Sequence, residues 1–246
     1  MNLLLIDTAE SSGDVVSLTD ARAVHLRKVL KVKVGQSVRI GRVDGPLGVG
    51  TVRTISADGV DLDCVFEVAP PPRPRVDLLL ALPRPKVMRR LWAQLAALGV
   101  GQVILTNAEK VERDYFDSHV LEPEGYRPLL IEGLQQARDT WVPRVSIHKR
   151  FKVLVEDDLG ALCPSSRRIV AHPAEGVSLF DAAAGCDADQ RVLIAIGPEG
   201  GWNDFELGLL DAHGFIRAGM GPRTLATTTA CVAILTLVHE ALRRSM

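Results

Sequence analysis

The amino-acid sequence predicts an α/β protein with a small β-barrel in front of it, and two observations lead to this prediction. A proline-rich stretch, APPPRPR at 69–75, separates two regions with different apolar patterns. Consecutive prolines fix φ and donate no backbone hydrogen bonds, so the stretch is expected to be an extended linker. With 246 residues, 47% of them hydrophobic, the chain is long enough for one large domain or two modest ones.

Before the linker, short strand-like runs are separated by glycine-rich turns. The runs cover residues 34–43, 47–55 and 60–68, and a helical segment is expected near 21–30. Several short strands in succession with turns between them indicate a small β-barrel.

After the linker, continuously apolar runs alternate with longer helical segments. The predicted strands lie at 76–83, 101–107, 142–151, 167–173 and 191–197, and the clearest helices lie at 87–98 and 129–138. Strands that are apolar throughout and are separated by helices indicate a parallel sheet covered on both faces. This part of the chain is therefore predicted to be an α/β domain.

Composition and cysteine spacing exclude several classes of protein. A formal net charge of -1 gives no global attraction to nucleic acid or acidic lipid, so a polyanion must bind at a local patch. The cysteines are far apart, with no Cys-x-x-Cys pair, so we expect buried thiols and neither a zinc site nor disulfides. No run reaches the roughly 18 apolar residues of a membrane span, and no basic signal segment begins the chain. The sequence thus predicts a cytoplasmic protein with no membrane or metal partner.

The stretch IAIGPEGGWNDFELGLL at 194–210 joins an apolar strand directly to a helix. Asn203 is a good N-cap, Glu206 can complete a capping box, and Gly214 suits the end of the helix. Loops at the carboxyl ends of strands are where open α/β sheets bind ligands. The glycines within 197–201 could let backbone groups approach a ligand, or could simply form a tight strand-to-helix turn.

The charge of this loop argues against a phosphate ligand. Helix N-termini attract anions, but Glu199, Asp204 and Glu206 surround this one with negative charge. Neither a Walker motif nor G-x-G-x-x-G spacing is present. A neutral or cationic ligand is favoured, and a nucleotide-binding protein that uses the loop for phosphate is the weaker alternative.

A second glycine-rich turn follows the helix. A strand at 215–218 leads into Gly219, Gly221 and Pro222, and a Thr-capped apolar helix begins near Thr227. Two such turns, each between a strand and a helix, could hold one ligand from two sides.

These segments resemble a known family. The runs LIAIGPEGGWNDFE and GMGPRTLATTTACVAILTL, with VAHP upstream, are similar to the RsmE family of ribosomal RNA methyltransferases, in the SPOUT superfamily. The resemblance extends through HLRKVLKVKVGQSVRI, ALPRPKVMRRLWAQLAALGV and LQQARDTWVP, so it covers essentially the whole chain. The paired GPEGG and GPR motifs in this order are specific.

The resemblance implies a two-domain methyltransferase. Residues 1–70 would form a PUA-like β-barrel that binds RNA, and residues 71–246 a trefoil-knotted SPOUT α/β domain that binds S-adenosyl-L-methionine. Family members methylate N3 of one uridine in 16S ribosomal RNA of the small subunit. They act as homodimers, so the implied partners are 16S rRNA and a second copy of the chain.

The resemblance also implies which residues form the site. The implied donor-binding positions are His172, Pro173, Ile196, Gly197, Glu199, Gly200, Gly201, Met220, Gly221, Pro222, Arg223 and Leu225. Methylation of uridine N3 requires removal of the imide proton and stabilisation of the charge that develops on the base. Arg223 could supply a cation for this catalytic step, and Glu199 or solvent could accept the proton.

Two charges that are usual in the family are absent from the second turn. Members usually read Arg-Thr-Glu-Thr after GPR-x-Leu, whereas this sequence reads ATTT at 226–229, with Ala226 and Thr228 at the charged positions. The alternative prediction is an RNA-binding SPOUT protein that keeps the donor pocket but is catalytically impaired or retargeted.

Two clusters of basic residues are candidates for RNA contact. One lies in the first domain, and the other where the first α/β strand passes into its helix. The members of the first are Arg22, His25, Arg27, Lys28, Lys31 and Lys33, those of the second are Arg84, Lys86, Arg89 and Arg90, and Arg138 is a further candidate. Phosphate contacts supply salt-sensitive affinity without reading a sequence. Solvated cationic surfaces with no ligand are the other interpretation.

Overall fold

The computed structural model describes residues 2–173, 177–187 and 189–244. The chain folds into two compact units, one formed by Met1–Arg73 with Ile131–Val142 and the other by Pro74–Leu130 with Pro143–Met246. The first unit therefore includes a segment that comes from beyond the proline-rich stretch.

The first unit is built on one six-stranded sheet. Its strands are β1 (Leu4–Ile6), β2 (Ser11–Ser12), β3 (Val15–Leu18), β4 (Ser37–Arg42), β5 (Leu47–Ile55) and β6 (Val60–Phe66). They lie in the order β1-β4-β5-β6-β3-β2, with β1 parallel to β4 and the other pairs antiparallel. The three strands predicted at 34–43, 47–55 and 60–68 are found as β4, β5 and β6.

A short helical segment between β3 and β4 corresponds to the one predicted near 21–30. It begins as helix α1 (Ala21–Val24), which is capped by the side chain of Asp20, and continues as a π-helical turn over His25–Val29. Ala23 and Leu26 of this segment are buried in one apolar cluster with the inward side chains of the sheet. The segment thus covers part of the sheet's apolar face.

The second unit contains a seven-stranded sheet in which every pair is parallel. Its strands are β7 (Val76–Ala81), β8 (Val100–Thr106), β9 (Arg144–His148), β10 (Arg167–Ala171), β11 (Val177–Ser178), β12 (Val192–Ile196) and β13 (Phe215–Gly219). They lie in the order β11-β13-β10-β12-β7-β8-β9, so β12 is inserted between β7 and β10. The prediction of an α/β fold with a parallel sheet is confirmed, and every predicted strand is found.

Helices alternate with these strands. They are α2 (Pro85–Ala97), α3 (Pro123–Ala137), α4 (Phe151–Val153), α5 (Leu159–Leu162), α6 (Leu179–Ala183), α7 (Asp204–Ala212) and α8 (Thr227–Arg244), and a π-helical turn at Leu154–Asp158 joins α4 to α5. Helix α3 begins well before the predicted start at 129. Pro123 stands at its first position, where a missing N–H costs little, and the helix continues through Pro128.

The sheet order places the ends of three strands side by side. Strands β7 and β12 are buried along their whole length, and apart from Asp77, which is paired with Arg191, their residues are apolar. Because all strands run in the same direction, their carboxyl ends meet at one edge. At that edge β10 lies between β12 and β13, so three loops that are far apart in the sequence become neighbours.

The cysteines are as the sequence predicted, since all four are free and buried. No described helix combines the length and the apolar character needed to cross a membrane. Within the described ranges, no group of three or more His, Cys, Asp or Glu side chains is arranged to hold a metal ion.

The thiols are expected to be unreactive in the native protein. Burial raises the pKa of Cys163 and of Cys231 to about 12, and it also raises the pKa of Cys64 and of Cys186. Because the thiolate is the reactive form, native protein should resist iodoacetamide at mildly alkaline pH. Intact mass spectrometry is expected to show no adduct before unfolding and four after it. Rapid modification of the native protein would contradict this burial.

Candidate functional site

A cavity of about 350 Å³ opens in the second unit where β10, β12 and β13 end. Its walls are formed by the ends of these strands, by the loop after β12 (197–203, the first glycine loop) and by the loop after β13 (220–226, the second glycine loop). Side chains from α6 and α8 complete the lining. The location is the carboxyl edge of a parallel sheet, which is where such folds bind ligands.

The cavity brings together nearly all of the predicted donor-binding positions. Pro222 is the only one of them that is not among the described lining residues. Those that line the cavity are His172, Pro173, Ile196, Gly197, Glu199, Gly200, Gly201, Met220, Gly221, Arg223 and Leu225. Arg223 and Glu199, the two predicted catalytic residues, stand on different glycine loops of the same cavity.

The first glycine loop needs glycine at two of its positions for different reasons. Gly201 has a φ of +71°, the left-handed region, and its N–H donates to the carbonyl of Pro198 at 2.8 Å. At Gly197, an added Cβ would lie only 3.0 Å from the ring of Trp202. Trp202 is buried and stacks on Phe151 with 5.2 Å between ring centroids. The loop is therefore a tight turn wrapped against an aromatic pair.

The predicted capping box at the start of α7 is confirmed. The Asn203 side chain accepts a hydrogen bond from the N–H of Glu206 at 2.8 Å, and the Glu206 carboxylate accepts one from the N–H of Asn203 at 2.8 Å. The second carboxylate oxygen of Glu206 accepts from the N–H of Glu109 at 2.7 Å. Glu206 is buried, and its two carboxylate oxygens accept hydrogen bonds from the backbone of two loops.

Two basic side chains contact the first glycine loop, each from the end of another strand. Lys110, in the loop after β8, donates from Nζ to the carbonyl of Gly200 at 2.6 Å. Arg84, between β7 and α2, has its Nε 3.4 Å from Oε2 of Glu199. The loop is therefore bound by groups from the ends of β7 and β8 as well as by its own helix.

The second glycine loop contains one position whose backbone conformation favours glycine. Gly221 has a φ of +102°. Strand β13, which leads into this loop, is joined to the residue after β10 by a hydrogen bond from the N–H of His172 to the carbonyl of Ala218, at 2.9 Å. Arg223 is exposed at the cavity wall, where it can meet a group that arrives from solvent.

The positions of the two missing family charges lie where α8 begins. Thr227 is buried and lines the cavity, and the carbonyl of Ala226 accepts the first helical hydrogen bond, from the N–H of Ala230 at 2.8 Å. Thr228 follows in the first turn. Ala226 thus contributes a backbone carbonyl to the start of α8.

The cavity combines apolar walls with a few polar atoms. Leu179, Ile196 and Ile234 supply apolar surface. Nδ1 of His172 and Nε1 of Trp202 are buried and have no hydrogen-bond partner within the part of the chain that the structure describes. Buried polar atoms normally have partners, so these two are available to a ligand. The combination is typical of small-molecule sites.

The sequence analysis treated the acidic residues around the first glycine loop as free charges, whereas two of them, Glu199 and Glu206, have partners in the structure. Glu206 binds backbone N–H groups and Glu199 faces Arg84, so the loop presents less free negative charge than its composition indicates. Phosphate is still disfavoured, for a geometric reason. The N–H of Glu206, which an anion at this helix start would use, is already bound by Asn203.

Arg22, one of the residues predicted to contact RNA, is paired within the protein. Its guanidinium is paired with Glu10 and with Asp20, and the hydrogen bond to Glu10 is the main cause of the raised pKa of Arg22. Glu10 and Asp20 both precede the basic stretch, so the stretch itself contains no acidic residue that would balance its positive charge. Arg27 is also engaged, since it donates to backbone carbonyls that include that of Ser56.

The other predicted RNA contacts divide between the two units. In the first unit His25 is half-buried and the exposed members are Lys28, Lys31, Lys33 and Arg138. In the second unit the exposed members are Arg84, Lys86, Arg89 and Arg90, at the start of α2. Because α2 follows the carboxyl end of β7, this second group stands at the same edge of the sheet as the cavity.

Comparison with known proteins identifies the class. Residues 70–239 match the family described as RNA methyltransferase domain. The chain is 29% identical over 253 residues to Ribosomal RNA small subunit methyltransferase E of Treponema pallidum, covering 97% of this chain and 92% of that protein. It is 26% identical to Ribosomal RNA small subunit methyltransferase E 1 of Borreliella burgdorferi, covering 95% of each.

A solved structure shares the fold. The crystal structure of a Ribosomal RNA small subunit methyltransferase E from Neisseria gonorrhoeae, bound to S-adenosyl methionine, has a TM-score of 0.76 at 17% identity and covers 98% of this chain and 97% of that one. The family match places this chain in the class of RNA methyltransferases. Within that class, the chain belongs to the RsmE family of ribosomal RNA methyltransferases.

Sequence reasoning missed several residues at the site. Leu179 and Ile234 line the cavity, but as apolar side chains on helices they carry no signal that separates them from core residues. Lys110 could have been found, because it follows a predicted strand at the edge of the sheet where ligands bind.

The capping box gives a direct test of how the first glycine loop is held. Asn203→Ala removes the acceptor for the Glu206 N–H and is expected to lower the free energy of unfolding by about 1 kcal/mol. In a chain of this size that corresponds to a fall in Tm of about 2–4 °C, measured by circular dichroism. Asn203→Asp keeps an acceptor and should retain most of the stability. Equal losses in the two variants would show that the side-chain acceptor at position 203 is not the source of the stability.

Proposed function

We propose that this protein transfers a methyl group from S-adenosyl-L-methionine to N3 of a uridine in 16S ribosomal RNA, in the cytoplasm. The observation that carries the proposal is the cavity at the ends of β10, β12 and β13, where both glycine loops and His172 come together. The curated relatives are named as methyltransferases of small-subunit ribosomal RNA, and the Neisseria structure holds S-adenosyl methionine. These names support the proposed donor and substrate.

The residues of the cavity fit such a donor. Leu179, Ile196 and Ile234 would hold the adenine ring, and the unpaired His172 Nδ1 and Trp202 Nε1 would meet polar atoms of the ligand. The volume lies within the range of about 300–1,000 Å³ that is usual for small-molecule pockets. When bound, S-adenosyl-L-methionine supplies a methyl group activated by its sulfonium.

Arg223 is proposed to stabilise the negative charge that develops on the uracil ring. Loss of the N3 proton spreads this charge over N3 and the neighbouring carbonyl oxygens. A guanidinium held beside the ring favours that charge, and preorganised charge of this kind is a large contribution in many enzymes. The exposure of Arg223 at the cavity wall supports the assignment, because the base must arrive from solvent.

Glu199 is proposed to accept the N3 proton, with solvent as the final acceptor. Its side chain lines the cavity on the loop opposite Arg223 and is 45% exposed, so a proton taken up there can pass on to water. A general base must come within hydrogen-bond reach of the proton that it removes. Arg84 stands 3.4 Å from Oε2 and orients the carboxylate.

RNA contact is proposed for both units. Residues 1–70 are proposed to form a PUA-like β-barrel that binds RNA, and the exposed Lys28, Lys31 and Lys33 support this. In the second unit, the exposed cations at the start of α2 are proposed to contact phosphates at the edge of the sheet that carries the cavity. Such contacts give affinity and orientation, whereas the cavity selects the base.

A trefoil knot in residues 71–246 and a homodimeric assembly are also proposed. The insertion of β12 between β7 and β10, and the packing of α8 against α2, α6 and β7, support the knot, because the chain returns repeatedly to the centre of the sheet. Val232 on α8 is 40% exposed and supports a second copy packing on this helix.

A second candidate function is donor binding without efficient methyl transfer. Ala226 and Thr228 favour it, since they stand beside the cavity at positions where the family usually carries charges. Such a protein would still bind RNA and the donor. It would fail only at the chemical step.

Methyl transfer and donor binding together test the proposal. Purified protein is expected to bind S-adenosylhomocysteine in calorimetry and to transfer labelled methyl groups to small subunits from a strain that lacks this protein. Nucleoside mass spectrometry should then detect 3-methyluridine in 16S rRNA. Binding without transfer would favour the second candidate. Tighter binding of ATP than of S-adenosylhomocysteine would overturn both.

A further inference from the structure

Lys110 lies across the outer surface of the first glycine loop. An added Cβ at Gly200 would come within 2.6 Å of the Lys110 Cδ and 3.5 Å of its Cβ. Gly200 does not have a positive φ, so its backbone does not itself require glycine. The close approach of Lys110 is therefore the reason that the structure provides for a glycine at this position.

The ammonium group of Lys110 fixes the orientation of one peptide group. Its Nζ donates to the carbonyl of Gly200 at 2.6 Å, a short bond with a charged donor. Charge-assisted hydrogen bonds of this kind are roughly twice as strong as neutral ones. The same peptide group carries the N–H of Gly201, which donates to the carbonyl of Pro198, so Lys110 holds the carbonyl side of a peptide whose N–H side is bound within the turn.

This restraint matters because the loop is rich in glycine. Glycine has more backbone freedom than any other residue, so a loop with three of them loses much entropy when it orders around a ligand. Gly201 is fixed on one side by its bond to Pro198, and α7 fixes the end of the loop. Lys110 binds the carbonyl of the same peptide group whose N–H is bonded to Pro198.

The contact between Arg84 and Glu199 is a weaker restraint of the same kind. Both side chains are largely exposed, at 68% and 45%, and the atoms are 3.4 Å apart. Exposed ion pairs contribute little, typically about 0–1 kcal/mol. Lys110 is exposed as well, but its bond to the Gly200 carbonyl is much shorter, at 2.6 Å, so it is the closer of the two restraints.

We propose that Lys110 is a positioning residue for donor binding: by holding the Gly200 carbonyl it keeps the first glycine loop in the conformation that accepts S-adenosyl-L-methionine. The inference rests on the proposed function, because it assigns a role in that site. Lys110 does not line the cavity, so it acts through the loop and not by contact with the donor.

Calorimetry with S-adenosylhomocysteine on Lys110→Met tests this role. The Kd is expected to rise about tenfold, because a charge-assisted hydrogen bond that preorganises the loop is lost. Lys110→Arg keeps a charged donor and should restore most of the affinity. Lys152→Met removes an exposed lysine of α4 that pairs only with Glu156 among the contacts described, and should bind as wild type.

A second variant separates coupling to Lys110 from a general effect on the loop. Gly200→Ala should displace Lys110 and also weaken binding. In a Lys110→Ala background the same change should cost much less, since alanine lacks the Cδ with which the added Cβ collides and the hydrogen bond is gone. Additive losses would overturn the proposal.

Kinetics with the RNA substrate distinguish a role of Lys110 in donor binding from a role in RNA binding. If Lys110 acts through the donor, the KM for small subunits and its salt dependence should stay as in wild type. A raised KM with a smaller salt slope, together with unchanged affinity for S-adenosylhomocysteine, would overturn the proposal and make Lys110 a phosphate contact. Failure of wild-type protein to bind S-adenosylhomocysteine would overturn the proposed function itself.

Discussion

One buried carboxylate, that of Glu206, joins the loops on which the site depends. It accepts hydrogen bonds from the N–H groups of Asn203 and Glu109, at 2.8 and 2.7 Å. The first bond fixes the start of α7 and the second ties the loop after β8 to it. Because both acceptors belong to one buried charged group, these bonds are stronger than the exposed contacts nearby. The first glycine loop thus ends at a fixed point, and Lys110 and Trp202 can pack against it.

The order of the parallel strands then supplies the second half of the site. With β10 between β12 and β13, the two glycine loops and the end of β10 enclose one cavity. Without the hydrogen bonds described above, the glycine-rich loops would be free to move, and the cavity between them would not keep a fixed shape. The fold agrees with the RsmE family, and because the chain has a net charge of -1, the proposed contact with a polyanion depends on local cations.

The features that the sequence predicted well depend on residues close together in the chain or on a regular pattern of apolar residues. The capping box of Asn203 and Glu206 was predictable because its partners are neighbours on one helix, and the buried strands were predictable because their residues, apart from Asp77 in β7, are apolar. The bond between Glu206 and Glu109 was not, since it joins positions 97 residues apart. The pairing of Arg22 with Glu10 was not predicted either, because Glu10 lies outside the basic stretch and only the fold brings the two side chains together. The insertion of β12 also depends on tertiary contacts that no local pattern encodes.

Amide hydrogen exchange on wild-type protein and on Glu206→Gln tests most directly whether this carboxylate holds both loops. The amide side chain removes the charge and leaves only one oxygen to accept two N–H groups. Exchange in peptides covering 107–111 and 198–204 is expected to accelerate together, while β4 and β5 keep their wild-type rates. Acceleration in only one of the two segments, or in neither, would contradict the account.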